Sequence, residues 1–192
     1  LYIAGGSFIS TTGNLDVGND MTVSSSATFT HNSGTVLADF NADPFFEVDG
    51  STLNNLTIQG GSLNDYFTVT GNLDVDGTLH LNATVNTNRK SIDGGSILLS
   101  GDLNVSYAGS TNTSGTGKIV FDGSGTQTVT FTAGALPEVE INSTGTVDFS
   151  NQTVRLKNGF TYSAGTVNLT NSTFHFGGWG TTYVSAPSLS FN

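Results

Sequence analysis

The sequence predicts an all-β fold: a right-handed, roughly triangular parallel β-solenoid of about nine rungs, forming a single domain over residues 1–192. Three observations support this prediction. The composition favours strands, since only 10% of residues are charged and the apolar residues are mostly Val, Ile, Leu and Phe. Blocks of sequence repeat along the chain, and short apolar triplets recur at even intervals.

The repeated blocks are the first sign of a stack. Residues 12–17 (Thr-Gly-Asn-Leu-Asp-Val) recur unchanged as residues 70–75, and residues 100–105 are a variant of them. A longer match relates residues 33–59 to residues 116–142 without a gap. In repeat architectures each unit buries its apolar face only against its neighbours. The repeats therefore predict that successive coils pack on one another.

Within these blocks, short apolar patterns recur at a smaller interval. From residues 139–141 to residues 174–176, apolar-x-apolar triplets follow one another every six to eight residues. The outer residues of a triplet share one face of a strand, and the middle residue, such as Asp148, Arg155 or His175, points to the other face. Gly, Asn, Ser, Thr and Pro between the triplets are turn residues. Three such triplets, each forming one short strand, make one coil of about 20 residues. The strands of one coil pair in parallel with those of the next.

Two other folds compete with the solenoid. An antiparallel sandwich also uses short alternating strands, but its hairpins favour longer strands at spacings of about 8–12 residues. Disorder suits a chain rich in Gly, Ser, Thr and Asn, but a disordered chain does not space apolar triplets regularly. Three stretches interrupt the regular spacing of the apolar triplets. They are predicted as irregular loops, near residues 40–49, 82–93 and 107–117.

Charge and composition argue against several classes of partner. The net charge is −10, whereas binding to nucleic acid or to an anionic membrane surface requires a basic patch. We find no run of about 18 apolar residues and predict no membrane insertion. The sequence has no Cys, so disulfides and Cys-based zinc sites are absent. It begins at Leu1 within a strand-like pattern, which we interpret as a mature or excised segment.

No catalytic constellation is predicted. His31, His80 and His175 lack the spacing of a metal site. Asp74 and Asp76 lie on one face of a strand, as a polysaccharide-cleaving pair would, but such pairs are common and we predict no enzymatic activity and no cofactor. Incidental calcium binding near these two carboxylates is the most we expect. The other acidic pairs are Asp16/Asp20, Asp39/Asp43 and Glu138/Glu140.

Both ends of the sequence have a strand pattern, and no amphipathic capping helix is present. An uncovered strand edge templates further pairing. We therefore expect the terminal strands to associate head to tail, either with another copy or with flanking repeats of the same protein. The residues that we expect in this contact are Leu1, Tyr2, Ile3, Leu189 and Phe191.

A second hypothesis concerns glycans. Trp179 is the only Trp, in a Gly-rich segment, and Tyr183 follows closely. An exposed aromatic ring there would stack on a sugar, but a ring that covers a core corner or a subunit junction is the more common case. The alternative function is thus a carbohydrate-binding or polysaccharide-cleaving β-helix, with surface glycans as partners.

Three segments of the sequence are similar to known proteins, namely residues 70–81, 115–131 and 136–169. They resemble repeat regions of very large bacterial surface and secreted proteins, of the filamentous-haemagglutinin and autotransporter-passenger type. The resemblance covers nearly the whole chain. It implies an extracellular or cell-surface location and a role as a structural module of a fibre, stalk or adhesin. It carries over no catalytic residues.

Overall fold

The computed structural model describes residues 1–40, 42–48, 50–60, 66–82, 92–108, 115–177 and 183–185. These residues form strands and no helix, and the strands stack in parallel as a β-solenoid of about seven turns. The predicted all-β class and the parallel β-solenoid are therefore confirmed. The strands, in chain order, are β1 (Tyr2–Ile3), β2 (Gly6–Ile9), β3 (Asn14–Val17), β4 (Met21–Val23), β5 (Ala27–Thr30), β6 (Thr35–Phe40), β7 (Phe45–Val48), β8 (Thr52–Leu53), β9 (Asn55–Gly60), β10 (Phe67–Val75), β11 (Leu79–Asn82), β12 (Ile92–Leu99), β13 (Leu103–Tyr107), β14 (Lys118–Phe121), β15 (Thr126–Phe131), β16 (Glu138–Asp148), β17 (Thr153–Leu156), β18 (Gly159–Asn168), β19 (Thr173–Phe176) and β20 (Tyr183–Ser185).

Pairing between these strands follows three parallel ladders. Ladder A joins β1, β4, β7 and the starts of β10 and β12. Ladder B joins β8, the ends of β10 and β12, β14, the starts of β16 and β18, and β20. Ladder C joins β3, β6, β9, β11, β13 and β15, and its place is taken later by the ends of β16 and β18.

Two further parallel pairs complete the stack. β2 pairs with β5, and both strands lie along the chain between a ladder A strand and a ladder C strand, where ladder B runs in later turns. β17 pairs with β19, and both strands follow a ladder C segment, as β4 and β7 do in earlier turns. The chain thus passes through equivalent positions turn after turn.

The three predicted loops have different outcomes. The stretch near residues 40–49 contains β7, because Phe46 and Val48 point into the core and keep the strand alternation. Residues 45–48 of this stretch therefore form a regular strand. The middle parts of the loops near 82–93 and 107–117 lie outside the described residues, and strands β11 and β13 end at Asn82 and Tyr107, at their start.

Inward-pointing side chains form one continuous apolar core. In β9, for example, Leu56 and Ile58 are buried and alternate with half-buried polar residues. Aromatic rings connect successive turns: the ring of Phe149 lies 5.9 Å from that of Phe121 and 5.2 Å from that of Phe174. Each fully buried side chain of this size contributes about 1.5–3 kcal/mol. Because its contacts come from the turns above and below, the turns stabilise one another.

The turns between strands have the residues that the sequence predicts. Asn151 and Asn171 lie at equivalent positions of successive turns, with φ angles of 59° and 56°, and the Asn171 side-chain amide donates to Oδ1 of Asn151 at 3.3 Å. Asn tolerates this left-handed conformation better than most residues. At another corner, a Cβ atom on Gly145 would overlap the carbonyl oxygen of Gly125, so only glycine lets these two turns approach.

Candidate functional site

The first turn of the solenoid has an edge to which no described residue is paired. Among the described residues, β1 pairs only with β4, β2 only with β5, and β3 only with β6. Backbone groups alternate in direction along a strand. The carbonyl oxygens of Leu1 and Ile3 face β4, where they accept hydrogen bonds from Thr22 and Ser24 at 2.8 and 3.0 Å. The N–H and C=O groups of Tyr2 therefore point to the open edge.

The same alternation holds in the other two strands of this turn. The Ser10 N–H donates to the Thr30 oxygen at 2.8 Å, so the backbone groups of Phe8, two residues earlier, also face β5. In β3, the Gly13 oxygen accepts from the Thr35 N–H at 2.9 Å, which sets the direction of the whole strand. The residues whose backbone groups point to the open edge are Tyr2, Ser7, Ile9, Asn14 and Asp16.

Apolar side chains accompany this open backbone. Phe8 is half-buried and its ring stacks on that of Phe29, with centroids 5.8 Å apart and an interplanar angle of 12°. Leu15 is also half-buried, and Ile9 is 68% exposed. The apolar core therefore continues as far as the open edge of the first turn. Unpaired backbone together with apolar side chains is the chemistry of a surface that accepts another strand.

A shallow depression lies beside β1. Within it, the Asp20 Oδ1 accepts a hydrogen bond from the Phe45 N–H at 3.0 Å, which fixes the turn before β4 against β7. The rings of Tyr2 and Phe45 remain 72% and 39% exposed. Aromatic rings next to amide and carboxylate oxygens are the groups that bind sugars and other amphipathic ligands. The depression is lined by Leu1, Tyr2, Asn19, Asp20, Thr22 and Phe45.

The residues predicted for the terminal contact fall into two groups. Leu1, Tyr2 and Ile3 lie at the open edge. Leu189, Phe191 and Trp179 lie outside the described residues. Tyr183 begins β20, where its backbone pairs with Gly159 of β18. The self-association and the glycan stacking therefore both stay predictions.

Several carboxylates, one of them from the predicted acidic pairs, accept hydrogen bonds from the backbone of the next turn. The Asp43 Oδ1 accepts from the Tyr66 N–H at 2.7 Å. The Asp93 Oδ1 accepts from the Thr116 N–H at 2.8 Å and from its hydroxyl at 2.6 Å. These bonds, the hydroxyl bond first, lower the pKa of Asp93. Sequence reasoning missed this role, because the bonded residues are a whole coil apart.

Glu140, from another of the acidic pairs, also joins adjacent turns. Lys118 Nζ lies 2.8 Å from its Oε2, and the Ser163 hydroxyl donates to its Oε1 at 3.0 Å. The bond from Lys118 is the main cause that lowers the pKa of Glu140. The carboxylate is thus occupied by an ion pair and a hydrogen bond at the outer face of ladder B.

Asp74 is the carboxylate with the opposite shift. Burial, and then the negative charges of Asp122 and Asp76, raise its pKa. Over the part of the chain that the structure describes, no group of three His, Cys, Asp or Glu side chains is arranged to hold a metal ion. Incidental calcium binding near Asp74 and Asp76 stays a prediction.

Comparison with known proteins adds no functional assignment. No family model, no curated protein and no solved structure matches this chain. The resemblance to bacterial surface β-helices therefore stays a prediction from the sequence. Among the described residues there is no helix of the length and apolarity that would span a membrane.

Proposed function

We propose that this chain is a structural module of an extracellular fibre, stalk or adhesin, and that its solenoid is extended by stacking at the first turn. The observation that carries the proposal is the open edge of β1, β2 and β3. An edge of this kind accepts a further strand through main-chain hydrogen bonds. The rung that stacks there comes from flanking repeats of the same protein or from another copy.

We also propose that the coil is right-handed and roughly triangular, with about nine rungs. The order in which the chain visits ladders A, B and C supports three sides. Nine rungs at about 4.8 Å per rung correspond to a rod of roughly 43 Å. The length and width of single particles in electron micrographs test these dimensions.

The resemblance to exported β-helices supports an extracellular location. The molecule relies on backbone ladders and an apolar core for its stability. Surface-exposed stalks need stability along one axis and little catalytic machinery. A stacked solenoid supplies this, because each added turn buries the face of the one before it.

Amide hydrogen exchange tests the stacking at single residues. In the isolated chain, we expect the amides of Ser7 and Ile9, which face the open edge, to exchange rapidly. The amides of Phe8 and Ser10, which face β5, are the internal reference. When stacking occurs at high protein concentration, Ser7 and Ile9 should gain at least about tenfold protection while Phe8 and Ser10 change little. Unchanged exchange of Ser7 and Ile9 at all concentrations would contradict stacking.

The substitution Ile9→Pro provides a matched test by electron microscopy. Proline removes one N–H that faces the open edge and keeps the hydrogen bonds to β5, so the first turn should remain folded. Ile9→Ala keeps the N–H and removes the same exposed side chain. We expect end-to-end rods from Ile9→Ala and single short particles from Ile9→Pro. Rods of equal length from both variants would exclude a backbone-paired junction.

Carbohydrate binding or cleavage is a second candidate function, favoured by the depression beside β1. Its exposed Tyr2 and Phe45 rings lie next to Asn19 and Asp20. A glycan array with the unmodified chain, Tyr2→Ala and Trp179→Ala separates the two aromatic sites. Ile9→Ala, which changes an exposed apolar residue outside the depression, is the control. Binding lost only in Tyr2→Ala assigns the depression, and an array without any binding removes this candidate.

A further inference from the structure

The outer face of ladder C is polar along the described stack. Apolar side chains of this ladder point into the core, and the residues between them point outward in two columns that keep register from turn to turn. Among these outward residues only Leu37 is apolar, so the face offers hydroxyl, amide and carboxylate groups. The first column is Asn14, Thr35, Asn55, Thr78, Asp102, Thr128, Asp148 and Asn168, and the second is Asp16, Leu37, Thr57, His80, Asn104 and Thr130.

The charge on this face is negative. The described strands of ladder C contain no Lys or Arg, whereas both columns include carboxylates. Two of these carboxylates have fixed positions, since Oδ1 of Asp102 accepts from the Thr128 N–H at 2.7 Å and Oδ1 of Asp148 accepts from the Ser150 N–H at 2.8 Å. Thr128 separates them in the first column, so they lie two rungs, about 10 Å, apart.

The other two sides of the solenoid have a different chemistry. The outer face of ladder A carries the exposed rings of Tyr2 and Phe45. On ladder B, Val120 lies in register with Glu140 and is only 6% exposed, and the Glu140 carboxylate is paired with Lys118 at 2.8 Å. Of the three ladders, ladder C thus has the outer face on which small polar groups and carboxylates continue without a cationic side chain in the strands.

We propose that the outer face of ladder C binds a linear chain of β-linked amino sugars with protonated amines, which lies along the solenoid axis. The ammonium groups complement the carboxylates of Asp102 and Asp148. The neighbouring Thr and Asn side chains donate and accept hydrogen bonds, as sugar hydroxyls also do. The same carboxylates would repel an anionic polysaccharide. This contact is independent of end stacking and of the depression beside β1.

The repeat of the face supports a repeating ligand. Successive turns lie about 4.8 Å apart, which is close to the rise per sugar of an extended β-linked chain. Each sugar therefore meets an equivalent set of outward side chains in the next turn. Neither column contains Phe, Tyr or Trp on which a sugar ring would stack. A single sugar should bind weakly, and affinity should grow with the length of the chain.

Calorimetric titration with oligomers of β-linked glucosamine tests this contact. The titration is done at low salt and at a pH at which the sugar amines are protonated. An oligomer of eight sugars should bind at least about tenfold more tightly than an oligomer of four, because it meets more turns at once. Salt at about 0.5 M should weaken binding, since it screens the attraction between ammonium and carboxylate groups.

Asp102→Asn combined with Asp148→Asn removes both charges and keeps an Oδ1 acceptor for the same backbone N–H groups, so the fold should persist. We expect at least about tenfold weaker binding of the eight-sugar oligomer. The matched control is Asp20→Asn combined with Asp93→Asn. These two carboxylates also accept N–H groups of the next turn, but they lie on the side of ladder A, so this pair should bind like the unmodified chain. Circular dichroism checks that both pairs remain folded.

Two further ligands separate the contributions of charge and sugar. Fully N-acetylated oligomers of the same length are neutral and should bind at least about tenfold more weakly; equal binding would exclude the charge-directed contact. An oligolysine of equal charge should also bind more weakly, and equal binding would show that the face attracts any cation. Absence of binding by the eight-sugar oligomer at low salt, or loss of binding only in the ladder A pair, would overturn the assignment of this face.

Discussion

The side-chain amide of Gln127 donates to the main-chain oxygen of Leu99, in the preceding turn, at a distance of 2.6 Å. The same nitrogen donates to the Gly101 oxygen at 2.9 Å, and Oε1 accepts from the Gly123 N–H at 3.0 Å. Gln127 is 0% exposed, so water cannot replace these bonds. One buried amide therefore joins two turns at a corner where the backbone ladder is interrupted.

The substitution Gln127→Leu should lower the free energy of unfolding by about 3 kcal/mol, because main-chain groups of Leu99, Gly101 and Gly123 lose a buried partner. Urea denaturation followed by circular dichroism measures the change. Gln59→Leu, at a half-buried position in β9, is the control and should change stability by less than about 0.5 kcal/mol. Equal effects of the two substitutions would show that the buried amide has no special role.

Gly145→Ala should destabilise the protein by more than about 2 kcal/mol, because the new Cβ overlaps the Gly125 oxygen and must push two turns apart. Gly125→Ala is the matched control. A Cβ on Gly125 meets nothing within 4 Å, so this change should be close to neutral. The difference between the two thermal midpoints is the measurement, and a difference near zero would contradict the close approach of these turns.

Phe149→Ala should cost about 3–5 kcal/mol, since the ring is fully buried and packs against Phe121 and Phe174 in the turns on either side. The control is Phe45→Ala, at a ring that is 39% exposed, for which we expect a loss of about 1 kcal/mol or less. Chemical denaturation of both variants checks this. Similar losses for the two rings would indicate that inter-turn packing is not the main source of stability.

Asp93 should contribute stability that is lost in acid. Its pKa is lowered in the folded state, so its contribution is complete above the ordinary pKa of about 4 and disappears as the pH falls through the lower, folded value. Melting temperatures measured from pH 2 to pH 7 should decrease below about pH 4. Asp93→Asn should flatten this decrease, because Asn does not titrate.

Asp74 is the control, because its contribution to stability should change with pH in the opposite direction to that of Asp93. Its pKa is raised, so ionisation is less favourable in the folded state and stability decreases as the pH rises through the interval between the ordinary and the raised pKa. Asp74→Asn should therefore increase the melting temperature slightly above that interval. The effect should be small, because the side chain is only partly shielded from solvent. A lower melting temperature for Asp74→Asn at neutral pH would contradict the assigned cause.

The identical hexapeptides at residues 12–17 and 70–75 show how much a repeat reveals. Both form strands with the same alternation, and in both the second apolar residue, Val17 or Val75, is buried. Yet Leu15 pairs with Val36 in ladder C, whereas Leu73 lies in ladder B. Their separation along the chain is not a whole number of coils. Any side of the solenoid accepts the same short pattern, because each side needs only alternate apolar residues.

The amino-acid sequence by itself determined the strand class, the alternation of buried and exposed residues and the stacking of short repeats, because these depend on spacings within a few residues. It also placed Asn and Gly at the turns. Only the tertiary structure decided which ladder each strand joins, that Gln127 and Asp93 bond across turns, and which backbone groups face the open edge. These relationships join residues about 20–28 positions apart, and corners of different length set their alignment. A local pattern does not encode that length.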